Sequence, residues 1–318
     1  MQANVSPILI AKKFNLKIVG NTDVLIQTVG SIKVQQRDAI LWAKNIDNLK
    51  KINFGYVIVS SFLEIPDINF NVTYLVTEEK PRLVFAKIIN EFFSHELQED
   101  FTNHVDYHRQ NQNIKIGDNV FIGSDVEIGD GTILHPNVVI YSKTKIGKNC
   151  ILRTHVSLGT EGLGLELDPE TNKFIKFPQM GGVILEDSVE IGPTSTVRRS
   201  ALDNTLIKKG TKIGSLVNIG HNCVIGENCI LTSQIVTSGS SIIGDNVFMG
   251  VNSSIKNGVN IGNNVTIGQG AVVTKNVPDN VTFVGNPAEN IVDYRAWSRM
   301  KKYLMNFFWK DLQNINEK

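Results

Sequence analysis

Excess charge of either sign is missing from this 318-residue chain, in which 32 Lys and Arg face 31 Asp and Glu for a formal net charge of +1. A broad basic field for nucleic acid and a solvating acidic tail are both excluded, so any charged partner must be met by local clusters. Cysteine is scarce as well, with Cys150, Cys223 and Cys229 the three present. An odd number, two of them one hexad apart, gives no disulfide framework and fits a reducing cytoplasm. Long apolar runs are also missing. Lys12 and Lys13 interrupt the first one early, which predicts neither a secretion signal nor a membrane span, and leaves the sequon Asn4-Val5-Ser6 without a context for glycosylation.

What the chain has is a six-residue echo from near Ile114 to near Gly285: IKIGDN, VFIGSD, VEIGDG, and later VNIGHN, CVIGEN, SIIGDN, VFMGVN, VNIGNN, VTIGQG. One β-branched or Leu residue per hexad is the inward one, and Gly or another turn former follows it. So short a repeat cannot bury its apolar face alone. Successive hexads must form flat strands whose coils stack, which predicts a parallel β-helix with three hexads per coil and a rise of about 4.8 Å per coil.

The period divides the chain. Residues 1–100 lack it and read as a small α/β domain, with strands over Val24–Thr28, Ala39–Trp42 and Tyr56–Ser60 and a helix from Pro81 to about Phe93. Residues 101–112 read as a polar linker and 113–287 as the β-helix. The stretch 159–182, GTEGLGLELDPETNKFIKFPQMGG, breaks the period and must loop out at a corner, where function or a subunit contact is the usual reason. Residues 288–318 read as a C-terminal helix with Trp297, Met300, Leu304 and Phe307 on one side; it either caps the last coil or packs on neighbouring subunits, which would cover the nearby Phe308 and Trp309, and the two readings stand level.

Among the histidines, His221 is the strongest candidate base. It follows the Gly220 corner, where a side chain can point outward, and imidazole takes a proton near neutral pH. Gly239 lies three hexads later, one coil on, where a backbone N–H without a side chain could meet an oxyanion. Asn218, Asn222, Ser215 and Ser238 add amides and hydroxyls able to orient a substrate. A base beside an oxyanion donor is the minimum for acyl transfer from a thioester to an amine.

These residues carry a resemblance. The segment GVILEDSVEIGPTSTVRRSALDNTLIKKGTKIG followed by VNIGHNCVIGENCIL is similar to the UDP-3-O-acylglucosamine N-acyltransferase family of lipid A biosynthesis. So are the GLGL…KFPQMG insertion, the GNTDVLI run and the PRLVFAKI helix. The resemblance implies a left-handed β-helix, a homotrimer with clefts between subunits, a uridine-binding N-terminal domain, His221 as general base and Gly239 as the oxyanion donor. Where that family has an Asp shortly before the base this chain has Gly214, and where it has a second His this chain has Gly258. Trp42 is the nearest match to its uracil-stacking aromatics. The final coils, GQGAVVTKNVPDNVTFVGNPAENI, resemble instead hexapeptide acetyltransferases that use coenzyme A, which makes Lys275 and Lys256, with Gly258, candidates for contact with the donor.

Three other constellations compete. A metal enzyme on this scaffold needs three converging His, and neither His135 nor His155 stands a whole number of coils from His221, so no metal is expected. Arg198, Arg199, Lys208, Lys209 and Lys212 form a basic cluster that either steers an acidic carrier protein or pyrophosphate or is a solvated corner. Asp203 either holds a substrate hydroxyl or caps a turn. A non-catalytic solenoid scaffold would have no use for His221. The sequence therefore reads as a cytoplasmic, trimeric N-acyltransferase acting on a nucleotide-linked amino sugar. Acyl-CoA is the favoured donor and a surface polysaccharide or O-antigen the product; the alternative is the lipid A enzyme itself, using acyl carrier protein.

Overall fold

The computed structural model describes residues 4–63, 65, 71–93 and 113–316, with side chains up to 306 and at 308. The segment read as a linker, residues 101–112, and the side chains of Phe307 and Trp309 lie outside the described residues. The chain divides into two compact units. The first comprises Met1–Asn103, Gly159–Val183 and Arg199–Thr205; the second His104–Leu158, Ile184–Arg198 and Leu206–Lys318.

In the first unit, strands β1 (Lys17–Val19), β2 (Thr28–Val29), β3 (Ala39–Trp42), β4 (Gly55–Ser60) and β5 (Val72–Thr77) form one sheet in the order β1-β5-β4-β3-β2, parallel except for β1 against β5. Its central strands are apolar on both faces. Ile40, Tyr56, Ile58 and Leu75 join one buried cluster, while Leu41, Val57, Val59 and Tyr74 join another. This is why β4 reads as a continuous apolar run rather than an alternation. Helices α1 (Pro7–Lys13) and α3 (Pro81–Phe92) cover the first cluster, each beginning with Pro at a first-turn position where no N–H is needed; α2 is Ile46–Leu49. The expected strand over Val24–Thr28 shrinks to Thr28–Val29 and a single bridge from Val5 to Ile26. Strands β1 and β5, and helix α1, have no counterpart in the expectations.

The period-breaking insertion is part of this unit's core. Leu165–Asp168 and Lys173–Lys176 pair as an antiparallel hairpin. Phe177 stacks on Phe85 of α3 at 5.8 Å, and Met180 is buried in the same cluster. The Arg82 guanidinium lies 4.5 Å from the centre of the Phe177 ring and pairs with Glu166, while Lys87 reaches Glu79 at 2.9 Å and Asp168 at 3.7 Å.

The second unit is the left-handed parallel β-helix, built from strands mostly two residues long that sort into three sheets. Asn218 pairs with Val236, which pairs with Ser254 and so on to Val272; Lys212 leads likewise through Ile230 and Phe248 to Thr266. Each step is one coil of three hexads. Inward residues Ile219, Ile225, Leu231, Ile243, Met249, Ile255 and Ile267 are buried. The corners use residues in the left-handed region, among them Asn222, Asn228, Asn246, Asn252 and Asn264, a conformation that Asn tolerates through its short polar side chain. Along one corner these amides bond to each other, Asn246 to Asn264 at 3.1 Å and Asn264 to Asn280 at 3.0 Å.

Two coils are longer than three hexads. One runs from Ile151 to its partner Glu190, the other from Thr196 to its partner Asn218. The surplus residues are those of the insertion and of Arg199–Thr205, which cluster with the first unit. The C-terminal helix α4 spans Ile291–Asn316. Trp297, Met300 and Leu304 are exposed, so the apolar face does not cap the last coil. Among the described residues no helix is long and apolar enough to cross a membrane.

Candidate active site

His221 stands half-buried at the corner that follows strand Asn218–Ile219. The chain is pinned on both sides of it. Gly220 N–H donates to the Thr237 carbonyl at 2.9 Å, and the His221 carbonyl accepts from Ser240 N–H at 2.8 Å. Gly239, one coil on, lies directly against the imidazole. A Cβ at Gly239 would stand 2.5 Å from Cε1 and 2.6 Å from Nε2, inside any permitted contact. Only glycine lets the ring sit there. Among the described residues, the Gly239 N–H has no hydrogen-bond acceptor, while its carbonyl accepts from Gly258 N–H at 3.0 Å. A proton acceptor and an uncommitted backbone donor thus share one corner.

The other residues singled out in the sequence distribute unevenly. Asn222 is adjacent, with its Oδ1 2.7 Å from His221 Nδ1. Asn218 accepts from Arg198 Nε at 3.3 Å. Lys256 and Lys275 are exposed and without a carboxylate partner among the described residues. The coil register puts Lys256 two coils beyond Gly220 and Lys275 three coils beyond His221, the latter a rise of about 14 Å along the same corner. Gly258 has φ of +73° and open space around it, and it continues the left-handed corner of Asn222 and Ser240. Ser215 falls at the preceding corner, one hexad earlier and on a different edge of the coil from His221; its carbonyl accepts from Gln234 N–H. Asp203 belongs to the first unit, within the surplus between Thr196 and Asn218, and its carboxylate accepts from the Ser31 hydroxyl.

The basic cluster is largely spent on the protein itself. Lys212 Nζ donates to the Ser188 carbonyl, Lys208 lies 4.0 Å from Asp245, and buried Arg199 donates to the Gly159 carbonyl. Cys223 follows Asn222 but points inward, and burial pushes its thiol up, which disqualifies it as a nucleophile. Among the described residues no group of three His, Cys, Asp or Glu side chains could hold a metal ion.

Trp42, in the first unit, lines a cavity of about 510 Å³ together with Lys44, Lys80, Pro81, Arg82 and Glu166. Burial pushes the Arg82 guanidinium below its ordinary value. Of these residues only Trp42 is visible to sequence reasoning. The start of α3 and the inserted hairpin are 84 residues apart at the Arg82–Glu166 pair, and no local pattern announces their meeting.

The stacked hexapeptide coils are those of the hexapeptide-repeat transferases. Residues 125–160 and 204–234 match the family described as bacterial transferase hexapeptide (six repeats), and 241–275 match the hexapeptide repeat of succinyl-transferase. A UDP-3-O-acylglucosamine N-acyltransferase from Helicobacter hepaticus is 33% identical over 290 residues, covering 86% of each chain. One from Helicobacter pylori is 34% identical over 253 residues, 73% of each. The chain belongs to the UDP-3-O-acylglucosamine N-acyltransferase family and is an N-acyltransferase. A solved UDP-N-acetylglucosamine acyltransferase from Francisella novicida matches 57% of this chain and 66% of its own, at 22% identity and a TM-score of 0.48.

Proposed function

We propose that the protein transfers an acyl chain from a carrier-protein thioester to the amine of UDP-3-O-acylglucosamine. The observation that carries this reading is the fit of the His221 ring against Gly239, in a chain that matches a UDP-3-O-acylglucosamine N-acyltransferase over 86% of its length. His221 Nε2 takes a proton from the amine as nitrogen attacks the thioester carbonyl carbon. The oxyanion of the tetrahedral intermediate receives a hydrogen bond from Gly239 N–H. Collapse breaks the carbon–sulfur bond, and the departing thiolate takes the proton back from the imidazolium. The electron count closes without a metal or an oxidant.

Relatives named for UDP-3-O-acylglucosamine favour this acceptor over the surface-polysaccharide sugar that the GNPA ending suggested; the carrier-protein donor goes with the lipid A reading of the resemblance. The arm of the donor runs along the His221 corner, with Lys256 and Lys275 near its phosphate, in a groove completed by a neighbouring copy of a homotrimer. The Trp42 cavity, with an aromatic face and three cationic side chains, suits a uridine diphosphate.

The test is thiol release by purified protein, crossing 3-hydroxyacyl carrier protein, 3-hydroxyacyl-CoA and acetyl-CoA with UDP-3-O-acylglucosamine and a panel of UDP- and dTDP-linked amino sugars. Turnover with the carrier protein and UDP-3-O-acylglucosamine, lost in His221→Ala, is expected. Turnover confined to a short acyl-CoA and another amino sugar would restore the polysaccharide reading, and release indifferent to His221 would remove the mechanism.

A further inference from the structure

The imidazole of His221 has two nitrogens, and only one of them can serve the proposed transfer. Nε2 is the one that lies against Gly239, within the reach of a group held by that residue's N–H. For Nε2 to accept a proton it must be bare, so the ring proton has to sit on Nδ1. Nδ1 lies 2.7 Å from Asn222 Oδ1. An amide oxygen accepts and cannot donate, so this bond needs a hydrogen on Nδ1, and in the neutral ring that leaves Nε2 bare.

We infer that Asn222 is a positioning residue: its side-chain amide fixes the tautomer and the rotation of the His221 ring, leaving Nε2 bare beside Gly239. The inference rests on the general-base reading of His221. Asn222 can do this because of the corner it occupies. With φ of +63° it sits in the left-handed region, where Asn is among the few residues with a side chain that settle readily. The same backbone turn that ends the strand carries its amide back beneath the preceding ring. Many corners of this solenoid use Asn for the turn alone, including Asn228, Asn246, Asn252 and Asn264. Asn246 and Asn264 spend their side chains on the asparagines of neighbouring coils. At the coil above, the equivalent residue is Ser240, too short to continue such a ladder, and the Asn222 oxygen goes to the histidine instead.

The choice of an amide has a chemical consequence. A carboxylate at this position would hold the same tautomer but would also favour the imidazolium through its charge. Asn222 orients without adding charge. The two strands that flank Asn218–Ile219 in the stack, Thr196–Arg198 and Val236–Thr237, carry one charged residue, Arg198, which is bonded to Asn218.

The experiment compares Asn222→Gly, Asn222→Asp and His221→Ala with the parent protein. Nitrogen-15 NMR of the labelled imidazole reads the tautomer without any substrate, and kcat, KM and pH profiles follow in the transfer assay. Gly keeps the left-handed corner and removes the acceptor. It is expected to leave the melting temperature within a few degrees, to mix the two tautomers, and to lower kcat about 10- to 100-fold with KM little changed, a fraction of what a positioned base supplies. Asp is expected to restore most of kcat and to move the acid limb of the kcat/KM profile to higher pH. An Asn222→Gly protein with parental kcat and an unmixed Nδ1–H tautomer would overturn the inference and leave Asn222 a turn residue. Parental turnover in His221→Ala would instead overturn the base assignment, and the NMR result would still report whether Asn222 sets the ring.

Discussion

The two units bury the same kinds of side chain by opposite means. In the first, strands such as β4 and β5 send alternate side chains into two separate clusters, and β1 finds its partner β5 far along the chain, as in Lys17 with Val76. In the second, each short strand buries one side chain, and its partner stands a single coil away, as Ile219 with Thr237. One is held by long-range closure, the other by nearest-neighbour stacking. The contrast shows where irregularity belongs. The residues by which the solenoid exceeds three hexads per coil are those that complete the core and polar contacts of the sheet unit, Phe177 and Met180 in one surplus, Asp203 in the other.

Substitutions can strain this contrast at each level. The largest effect is expected on the regular unit's chemistry, where His221→Ala lowers kcat by about 10² to 10⁴ with an unchanged melting temperature, read by steady-state kinetics and calorimetry. Next, Phe85→Ala removes a fully buried ring from the sheet unit and costs about 3–5 kcal/mol. Because that core is shared, hydrogen exchange is expected to rise across α3 and the 165–176 hairpin together. Ile225→Ala, also fully buried, raises exchange only in its own and adjoining coils. Equal spread in both variants would erase the distinction.

Gly239→Ala forces a Cβ against the His221 ring and is expected to cut turnover about 100-fold. Smaller still, Asn264→Ala removes two amide bonds of the corner ladder and strains φ of +55°, at a cost of about 1–2 kcal/mol in denaturant melts; Asn264→Gly keeps the backbone and loses less.

The mildest test is one of pH. Burial raises the Asp168 carboxyl, but the Glu170 N–H, the Thr171 hydroxyl and Lys87 outweigh it and hold the group below the usual carboxylate range. A depressed folded value contributes stability above the unfolded value, and that contribution is lost as pH falls through the folded one. The hairpin is therefore expected to exchange faster below about pH 4, and Asp168→Asn to abolish that dependence.

Legibility followed the same divide. The hexad pattern exposed the second unit's inward residues because each coil repeats one local instruction, and His221 with Gly239 became neighbours by arithmetic alone. That arithmetic fails wherever a coil is longer than three hexads, as between Thr196 and its partner Asn218, so it assigns Asp203 no neighbour. In the first unit, Ala39–Trp42, β4 and α3 were readable from composition. Strand β5, Val72–Thr77, was not separated from its surroundings, and the cavity beside Trp42 depends on Arg82 meeting Glu166 across a hairpin whose partners no short window contains.

The fixed length of the coil also gives the protein a kind of reading frame. Between His221 and Lys275 a residue's place within its coil names an edge, and the number of whole turns names a height. Losing one residue from that stretch would not shorten the stack but turn the downstream faces inside out. Losing a whole coil would keep every face and move Lys275 about 4.8 Å closer to His221. Length changes along this stack therefore enter at corners or in complete turns: this chain has excursions at Gly159–Val183 and Arg199–Thr205, and a corner two residues short before Val277, which pairs with Ile261 sixteen residues earlier.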